Sequence, residues 1–471
     1  MARSSSSFLN RAFTRAFNLR GSNGDGKGAL ALSPDLVEAD VKILKRQITA
    51  CLSHKGGVVS ARRRAAELGG AYLSLNETGR LRFFQVLARD FGVDRQDVDR
   101  ASAALAVAEG EDDRRDARRR LKNALVAPRT QMFTQFNSLG QGVKFLVDMR
   151  ADLLDALRTD PDLFSVEEDL QQLLRSWFDV GFLEMAQITF NAPASLLEKL
   201  IEYEAVHEIR SWTDLKNRLD SDRRCFSFVH PNMPQEPLIF VEVALVNGIA
   251  GNVQALLDED APRTDPFAAD TAIFYSISNC QRGLAGVGFG DFLIKRVVDR
   301  LSQRLPNLKS FATLSPIPGF MRWLSARAEA GDVPIRDAER KQIMEAAQLS
   351  ADVAEPLTVA LAWKDWHLNP ALADALQPVL MRLGTRYLGL ERDRRERPID
   401  PVARFHLNNG ALIERVNWLA DTSRSGMKQS AGMMVNYLYK LDDIEKNHES
   451  FRSDGTIATS SGVRRQLKEK W

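Results

Sequence analysis

From Thr271 to Leu301 the chain reads T-A-I-F-Y-S-I-S-N-C-Q-R-G-L-A-G-V-G-F-G-D-F-L-I-K-R-V-V-D-R-L: an apolar strand, a loop with four glycines, and a helix with an apolar stripe. Leu293, Val297, Leu301 and Leu305 fall four apart, with Ile294 and Val298 beside them, so one face of that helix must lie on a sheet. Strand, glycine-rich loop and helix in succession bring bare backbone N–H groups and the positive end of a helix dipole to one place. Glycine suits such a loop because it has no Cβ to hold a phosphate oxygen away, and because it tolerates φ > 0. A ligand bearing phosphates is the first expectation. The pattern is neither a P-loop, which needs G-K-[ST], nor a dinucleotide fingerprint with its acidic partner. A turn for tight helix–strand packing is the competing reading of the same glycines.

A chain of 471 residues exceeds one ordinary core, which predicts two or three domains. No run of about 18 uncharged apolar residues occurs, so no membrane span is expected. Leu238 to Ala250, the most apolar stretch, is broken by Glu242 and Asn247. A net charge of +2 argues against a dedicated nucleic-acid binder. Arg114, Arg115, Arg118, Arg119 and Arg120 alternate with Asp112, Asp113 and Asp116, which reads as a solvated helix face. Cys51, Cys225 and Cys280 are too few and too scattered for a disulfide framework or a cysteine zinc site, and a reducing compartment fits them.

Residues 33–177 are helical in pattern almost throughout, so residues 31–185 are expected to form an all-helical bundle. Thr78 is the expected cap of one helix and Asp94 of the next; Met132 to Leu157 and Val166 to Trp177 add two more. Strand signals begin afterwards, at Cys225 to Val229, Leu238 to Val246, Thr271 to Ser278 and Lys309 to Leu314. A mixed α/β domain over 186–455 follows. S-P-I-P-G-F, from Ser315 to Phe320, is expected as a loop because its two prolines bar a helix and a central strand. Residues 1–30, rich in Ser, Arg and Phe, read as a flexible terminus, with an organellar presequence as the alternative. Residues 456–471 read as a flexible tail.

His406, in P-V-A-R-F-H-L-N-N-G-A, is one of six histidines and sits among amides and a glycine. It is a candidate ligand-facing ring, with a structural role as the competing reading. Ser276 and Ser278 close the Thr271 strand, where a serine also serves simply to satisfy a strand end.

Several segments together resemble the malonyl-CoA decarboxylase family: E-P-L-I-F-V-E-V-A-L (Glu236 to Leu245), A-I-F-Y-S-I-S (Ala272 to Ser278), G-D-F-L-I-K-R-V-V (Gly290 to Val298) and L-S-P-I-P-G-F (Leu314 to Phe320). P-V-A-R-F-H-L-N-N-G-A (Pro401 to Ala411) and N-Y-L-Y (Asn436 to Tyr439) continue the series in order. The resemblance implies an α+β two-domain chain: a helical oligomerisation domain, then a catalytic domain with the acetyltransferase-like (GNAT-type) fold that binds CoA. It implies Ser278 (or its neighbour Ser276), His406 and Tyr439 as catalytic residues. It further implies an acyl-CoA-binding segment at Ala250, Gly251, Asn252, Val253 and Gln254, and a diphosphate at Gln281, Gly286, Gly288 and Gly290. The chain lacks the peroxisomal tripeptide of some relatives, and cysteines proposed to link subunits in some relatives have no counterpart here.

Under that resemblance malonyl-CoA loses CO₂ through a thioester enolate to give acetyl-CoA. No metal or other cofactor is expected, since the thioester itself takes the electrons. His406 is expected to protonate the carbon from its charged form, and Ser278 to hold the malonyl carboxylate out of the thioester plane. Backbone N–H groups near Gly251 and Asn252 are candidate oxyanion donors. Malonyl-CoA and acetyl-CoA are the expected small-molecule partners, with a homo-oligomer (dimer or tetramer) through the helical domain. A cytoplasmic location is expected, with a mitochondrial one as the alternative. A CoA-dependent N-acyltransferase and a non-enzymatic acyl-CoA sensor are the rival readings.

Overall fold

The computed structural model of the protein describes residues 32–53, 57–288, 293–350 and 352–468. The expected flexible terminus at 1–30, and Gly290 of the glycine loop, lie outside the described residues. Two compact units are present. One comprises the chain up to Glu184 with Val229–Pro237 and Gln281–Gly288; the other comprises Met185–Phe228, Leu238–Cys280 and the chain beyond residue 288.

The first unit is built on helices α1 (Glu38–Leu52), α2 (Val58–Leu73), α3 (Glu77–Asp90), α4 (Arg95–Val107), α5 (Glu111–Ala124), α6 (Pro128–Asn137), α7 (Gly142–Ala156) and α8 (Phe164–Trp177). Asp94 caps α4 through Gln96 N at 2.9 Å, as expected. The cap of α3 is Asn76 rather than Thr78: its extended backbone lets Oδ1 accept from Gly79 N at 2.9 Å, while Thr78 is already helical. The single helix expected from Met132 to Leu157 is two. Gln141 takes φ +64°, and a methyl group on Gly142 would lie 1.9 Å from Phe136 O, so the chain turns where only glycine fits. Tyr72, Phe83, Phe136 and Phe145 meet edge to face at the centre of the bundle, with centroids 5.1–5.7 Å apart. The arginine cluster of α5 is a solvated face, with Ala117 as the helix's one buried residue.

After these helices come β1 (Glu184–Ile188), α9 (Ala194–Tyr203), α10 (Trp212–Arg218), β2 (Arg223–His230), β3 (Met233–Val246), α11 (Val253–Leu256), β4 (Thr271–Asn279) and α12 (Leu293–Arg304). They are followed by β5 (Ser310–Thr313), β6 (Ser315–Pro316), α13 (Phe320–Glu329), α14 (Asp337–Ala346), α15 (Pro356–Leu361), α16 (Pro370–Gly389), α17 (Pro401–Asn408), β7 (Leu412–Asn417), α18 (Arg424–Ser430), β8 (Met434–Tyr439), α19 (Ile444–Asp454) and α20 (Ser461–Lys468). The strands form one sheet in the order β1-β2-β3-β4-β5-β8-β6, with β7 also paired to β8. This is the expected arrangement of a helical region followed by a mixed α/β domain. Leu293, Ile294, Val297, Val298 and Leu301 of α12 are all buried, as their spacing predicts.

Three features of the sheet position the site. β4 runs parallel to β5 only from Thr271/Ser310 to Phe274/Thr313, while β4 continues to Asn279. Tyr275 is the extra residue of a bulge opposite Glu242 and Val243. And β5 pairs with Leu438 and Tyr439 of β8 whereas β6 pairs with Met434 and Val435, which leaves a gap in the ladder at Asn436 and Tyr437. β6 corrects the expectation of a pure loop at S-P-I-P-G-F. A proline at the last residue of a two-residue strand removes no donor that the ladder needs.

The expected flexible tail is also corrected over 456–468. Ile413 N donates to Ala458 O and Ser460 N to Ile413 O, both at 2.9 Å, so this segment covers the second edge of β7. α20 then buries Val463.

Candidate active site

Asp400 caps α17 by accepting from Val402 N and Ala403 N at 2.9 Å, and Pro401 takes the first helical position, where its missing N–H costs nothing. One and a half turns later the helix presents His406, which is 3% exposed. Tyr437 and Tyr439 alternate along β8 and so project from one face. The His406 ring stacks on Tyr437 with centroids 4.6 Å apart and planes at 26°. Its Nδ1 is 2.8 Å from Tyr439 OH and its Nε2 is 3.1 Å from Ser315 Oγ. Ser315 Oγ donates to Thr313 Oγ1 at 2.8 Å. A Tyr439 hydroxyl donating to Nδ1 leaves a hydrogen on Nε2, directed at Ser315. Burial pushes His406 down to about 3, and burial raises Tyr439 well above the usual phenol range. The ring is therefore neutral near pH 7, which corrects the expectation that it carries a proton there.

Ser315 is the residue that sequence reasoning missed. It lies in L-S-P-I-P-G-F, whose two prolines read as a loop; that Ser315 opens a two-residue strand against β8 leaves no mark in the sequence.

Ser276 and Ser278 lie elsewhere. Ile273 pairs with Ala312, and both belong to one apolar cluster with Ala244 and Leu314. Phe311, one residue away, pairs with Tyr439, so the His406 site is on the opposite face. Ser276 faces Glu242 and Ser278 faces Phe240, which share the Ala244 side by their two-residue spacing. The bulge at Tyr275 puts both serines on that side. There Ser276 Oγ bonds both Glu204 oxygens at 2.8 Å, Ser278 Oγ bonds Glu204 Oε2 at 3.0 Å, and Ala205 N donates to Ser278 Oγ at 3.1 Å. Val206 N and His207 N complete the shell of Glu204 at 2.8 Å. These serines fasten residues 204–207 to β4. Replacing Ser278 by alanine is therefore expected to leave kcat within about threefold and to lower stability by about 1 kcal/mol. A kcat loss of the size expected for His406 variants would return Ser278 to the catalytic group.

Beside them Glu242 is fully buried, and Arg218 Nη1 lies 3.2 Å from its Oε2. Burial and the neighbouring Glu204 push Glu242 from 4.5 up to about 8, against the lowering pull of Arg218. A raised carboxyl stabilises the fold fully below 4.5 and loses that contribution as pH climbs to about 8. Chemical denaturation of wild type and Glu242→Gln from pH 5 to pH 9 should show the variant with the flatter pH slope. Parallel slopes would reject this assignment.

The expected diphosphate loop is held by the helical unit. Arg150 Nη1 donates to Gly283 O at 2.6 Å and Ala285 O at 2.8 Å, and Gln281 Nε2 donates to Pro237 O at 2.9 Å. A methyl group on Gly283 would lie 1.7 Å from Val147 O, so this glycine serves packing. Gly286 has φ +74°, and Gly288 faces open space.

In the 250–254 segment the side chains are occupied. Asn252 caps α11 through Ala255 N at 3.0 Å, Gln254 Nε2 donates to Asp421 Oδ1 at 2.9 Å, and Val253 is buried with its N–H on Ala420 O at 2.8 Å. Ala250 O accepts from Asn436, and a methyl group on Gly251 would lie 2.7 Å from Asn417 Oδ1. What this segment offers a ligand is backbone at residues 249–251.

Residues 181–471 match the family described as malonyl-CoA decarboxylase C-terminal domain, and residues 91–178 match the malonyl-CoA decarboxylase N-terminal domain. The mitochondrial malonyl-CoA decarboxylase of Rattus norvegicus is 37% identical over 436 residues, spanning 88% of this chain and 83% of the relative. That of Anser anser anser is 38% identical, spanning 86% and 83%. The crystal structure of malonyl-CoA decarboxylase from Rhodopseudomonas palustris superimposes with a TM-score of 0.82 at 40% identity, covering 90% of this chain and 99% of that one. The Agrobacterium vitis structure gives 0.82 at 40% identity, covering 91% and 100%. With both halves matched and the relatives aligned over most of their length, the chain belongs to the malonyl-CoA decarboxylase family of carbon–carbon lyases.

Proposed function

We propose that the chain converts malonyl-CoA to acetyl-CoA and CO₂ at the buried Ser315–His406–Tyr439 chain of hydrogen bonds, the observation that carries this reading. Cleavage of the C–C bond places its electron pair on the thioester oxygen, giving an enolate and CO₂. Ser315 Oγ turns its one hydrogen from Thr313 Oγ1 to the enolate carbon, Ser315 takes that of His406 Nε2, and Nδ1 takes that of Tyr439. The phenolate left behind recovers a proton from water. An enolate carbon is a much stronger base than a phenolate, so the shift runs downhill although Tyr439 is buried. No metal and no further cofactor enters this scheme.

Backbone at residues 249–251 is the proposed contact for the acyl end of the ligand. Gly288, with open space at its Cα, keeps the bare backbone a phosphate would need. The helical unit carries exposed apolar residues at Val107 (77%), Leu125 and Val126 (each 55%), which support a homo-oligomer through that region. The mammalian and avian relatives are named mitochondrial proteins, which agrees with the organellar alternative rather than with cytoplasmic residence.

The test is product analysis with malonyl-CoA, a chelator and an added amine. Acetyl-CoA and CO₂ in equal amounts support the proposal. Acetyl transfer to the amine would instead select the N-acyltransferase reading, and binding without turnover the sensor reading.

A further inference from the structure

Asn436 lies in the gap of the β5/β6–β8 ladder and is 0% exposed. Its amide has two hydrogens and two lone pairs, and all four are used. Nδ2 donates to Thr313 O at 2.7 Å and to Ala250 O at 2.9 Å; Oδ1 accepts from Arg415 Nε at 2.9 Å and from Asn417 Nδ2 at 2.8 Å. Arg415 Nη2 reaches on to Ile249 O at 2.6 Å. Thr313 Oγ1 takes the other loose group in the gap, Tyr437 N, at 3.2 Å, and also holds Ser315. The ladder is therefore opened two residues before Ser315, and side chains close it instead of backbone.

An unbroken ladder would hold these strands without help from a side chain. The opening takes Thr313 and Leu314 out of the β8 ladder just before Ser315 pairs again with Val435, and one amide ties Thr313 to the turn at 249–251. Asn436 projects from the face opposite the His406 ring, so it links the two faces at the point where the site must be set to fractions of an ångström.

We propose that Asn436 is a positioning residue: it fixes the spacing between the 249–251 turn and the Ser315–His406 pair, with Arg415 supporting it at the turn. This rests on the reading that Ser315 and His406 carry the decarboxylation. The two residues make separable demands. Arg415 bonds the turn and the Asn436 oxygen but not the strand leading to Ser315, so its loss acts mainly on binding; Asn436 bonds both the turn and Thr313 of that strand, so its loss acts on binding and on turnover.

The experiment compares Arg415→Met and Asn436→Asp with wild type by kcat and KM for malonyl-CoA, the Kd of acetyl-CoA, and thermal midpoint. Aspartate keeps the shape and both acceptor contacts of Asn436 but donates to neither Ala250 O nor Thr313 O. Arg415→Met should raise KM and the acetyl-CoA Kd about tenfold with kcat within about twofold. Asn436→Asp should raise both constants similarly and lower kcat by a further tenfold or so, toward the roughly 10²-fold loss that a 1 Å misplacement causes. A purely structural role would lower the midpoint and the active fraction while KM and Kd stay at wild-type values in both variants. That result overturns the proposal. Ser315→Ala run in parallel separates the two levels: its inactivity with unchanged KM in the other variants rejects only the role of Asn436, whereas wild-type turnover by Ser315→Ala rejects the underlying reading as well.

Discussion

His406→Asn is expected to lower kcat by about 10²–10⁴-fold, the range for removal of a proton-transfer group. Asparagine can still meet Tyr439 where Nδ1 stood, but it cannot reach Ser315, so the chain of hydrogen bonds is cut at its middle. Ser315→Ala cuts it one link further on and should lose activity to a similar extent. The double variant should be little worse than either single one, because groups that act as a unit are not additive. Acetyl-CoA affinity should survive in all three. Since burial holds the ring down to about 3, kcat should show no inflection near 6.5, the ordinary value for histidine. The same burial makes the fold sensitive to acid: below 6.5 the unfolded chain takes up a proton that the native ring refuses, and stability falls as pH drops toward 3. Turnover near the wild-type rate in His406→Asn, with CoA binding intact, would remove the histidine from the chemistry.

The order of elements was legible where periodicity ran long. The helical first region, β3, β4 and the apolar stripe of α12 follow from spacing of three to four or from dense β-branched runs. Four strands were not legible: β1, the two-residue β6, β7 and β8, the last two being those that build the site. In L-I-E-R-V-N the bulge at Glu414 breaks the alternation that would mark β7, and M-V-N-Y-L-Y of β8 buries polar Asn436 on one face and tyrosines on the other. Without β7 and β8 there was no way to see that His406 faces Tyr437 and Tyr439 on one side of the sheet.

Ser278 was favoured for its closeness in sequence to the glycine loop. Alternation along β4, shifted by the bulge at Tyr275, sends it to the other face, and a one-residue bulge leaves no mark in composition. His406 and Tyr439, which the resemblance implies, do meet; Ser315, which it does not single out, joins them. The glycine loop divides the same way. Gly283 is fixed by a backbone approach that only the folded chain displays, while Gly288 keeps the open surface that its sequence context suggested.

Arg150→Met is expected to destabilise the protein by about 3–5 kcal/mol, the cost of leaving a buried charge without its partner. Arg150 is 1% exposed, and its Nε and Nη2 lie 3.1 and 2.5 Å from Glu167 Oε1. Its remaining nitrogen holds the carbonyls of Gly283 and Ala285, which also lose their donor. Gly283→Ala attacks the same junction by crowding Val147 O and should cost about 1–3 kcal/mol, the usual range for overpacking. The larger loss belongs to the arginine because a carboxylate in an apolar setting is dearer than a displaced methyl group. Replacing the pair together, as Arg150→Met with Glu167→Leu, should recover the part lost to the unpaired carboxylate, while the Gly283 and Ala285 carbonyls stay without their donor. Urea denaturation of the three variants reads the comparison directly. A single Arg150→Met loss below about 1 kcal/mol, the level of an exposed pair, would mean that water reaches Glu167 and that the loop from Gln281 to Gly288 is not anchored by this arginine.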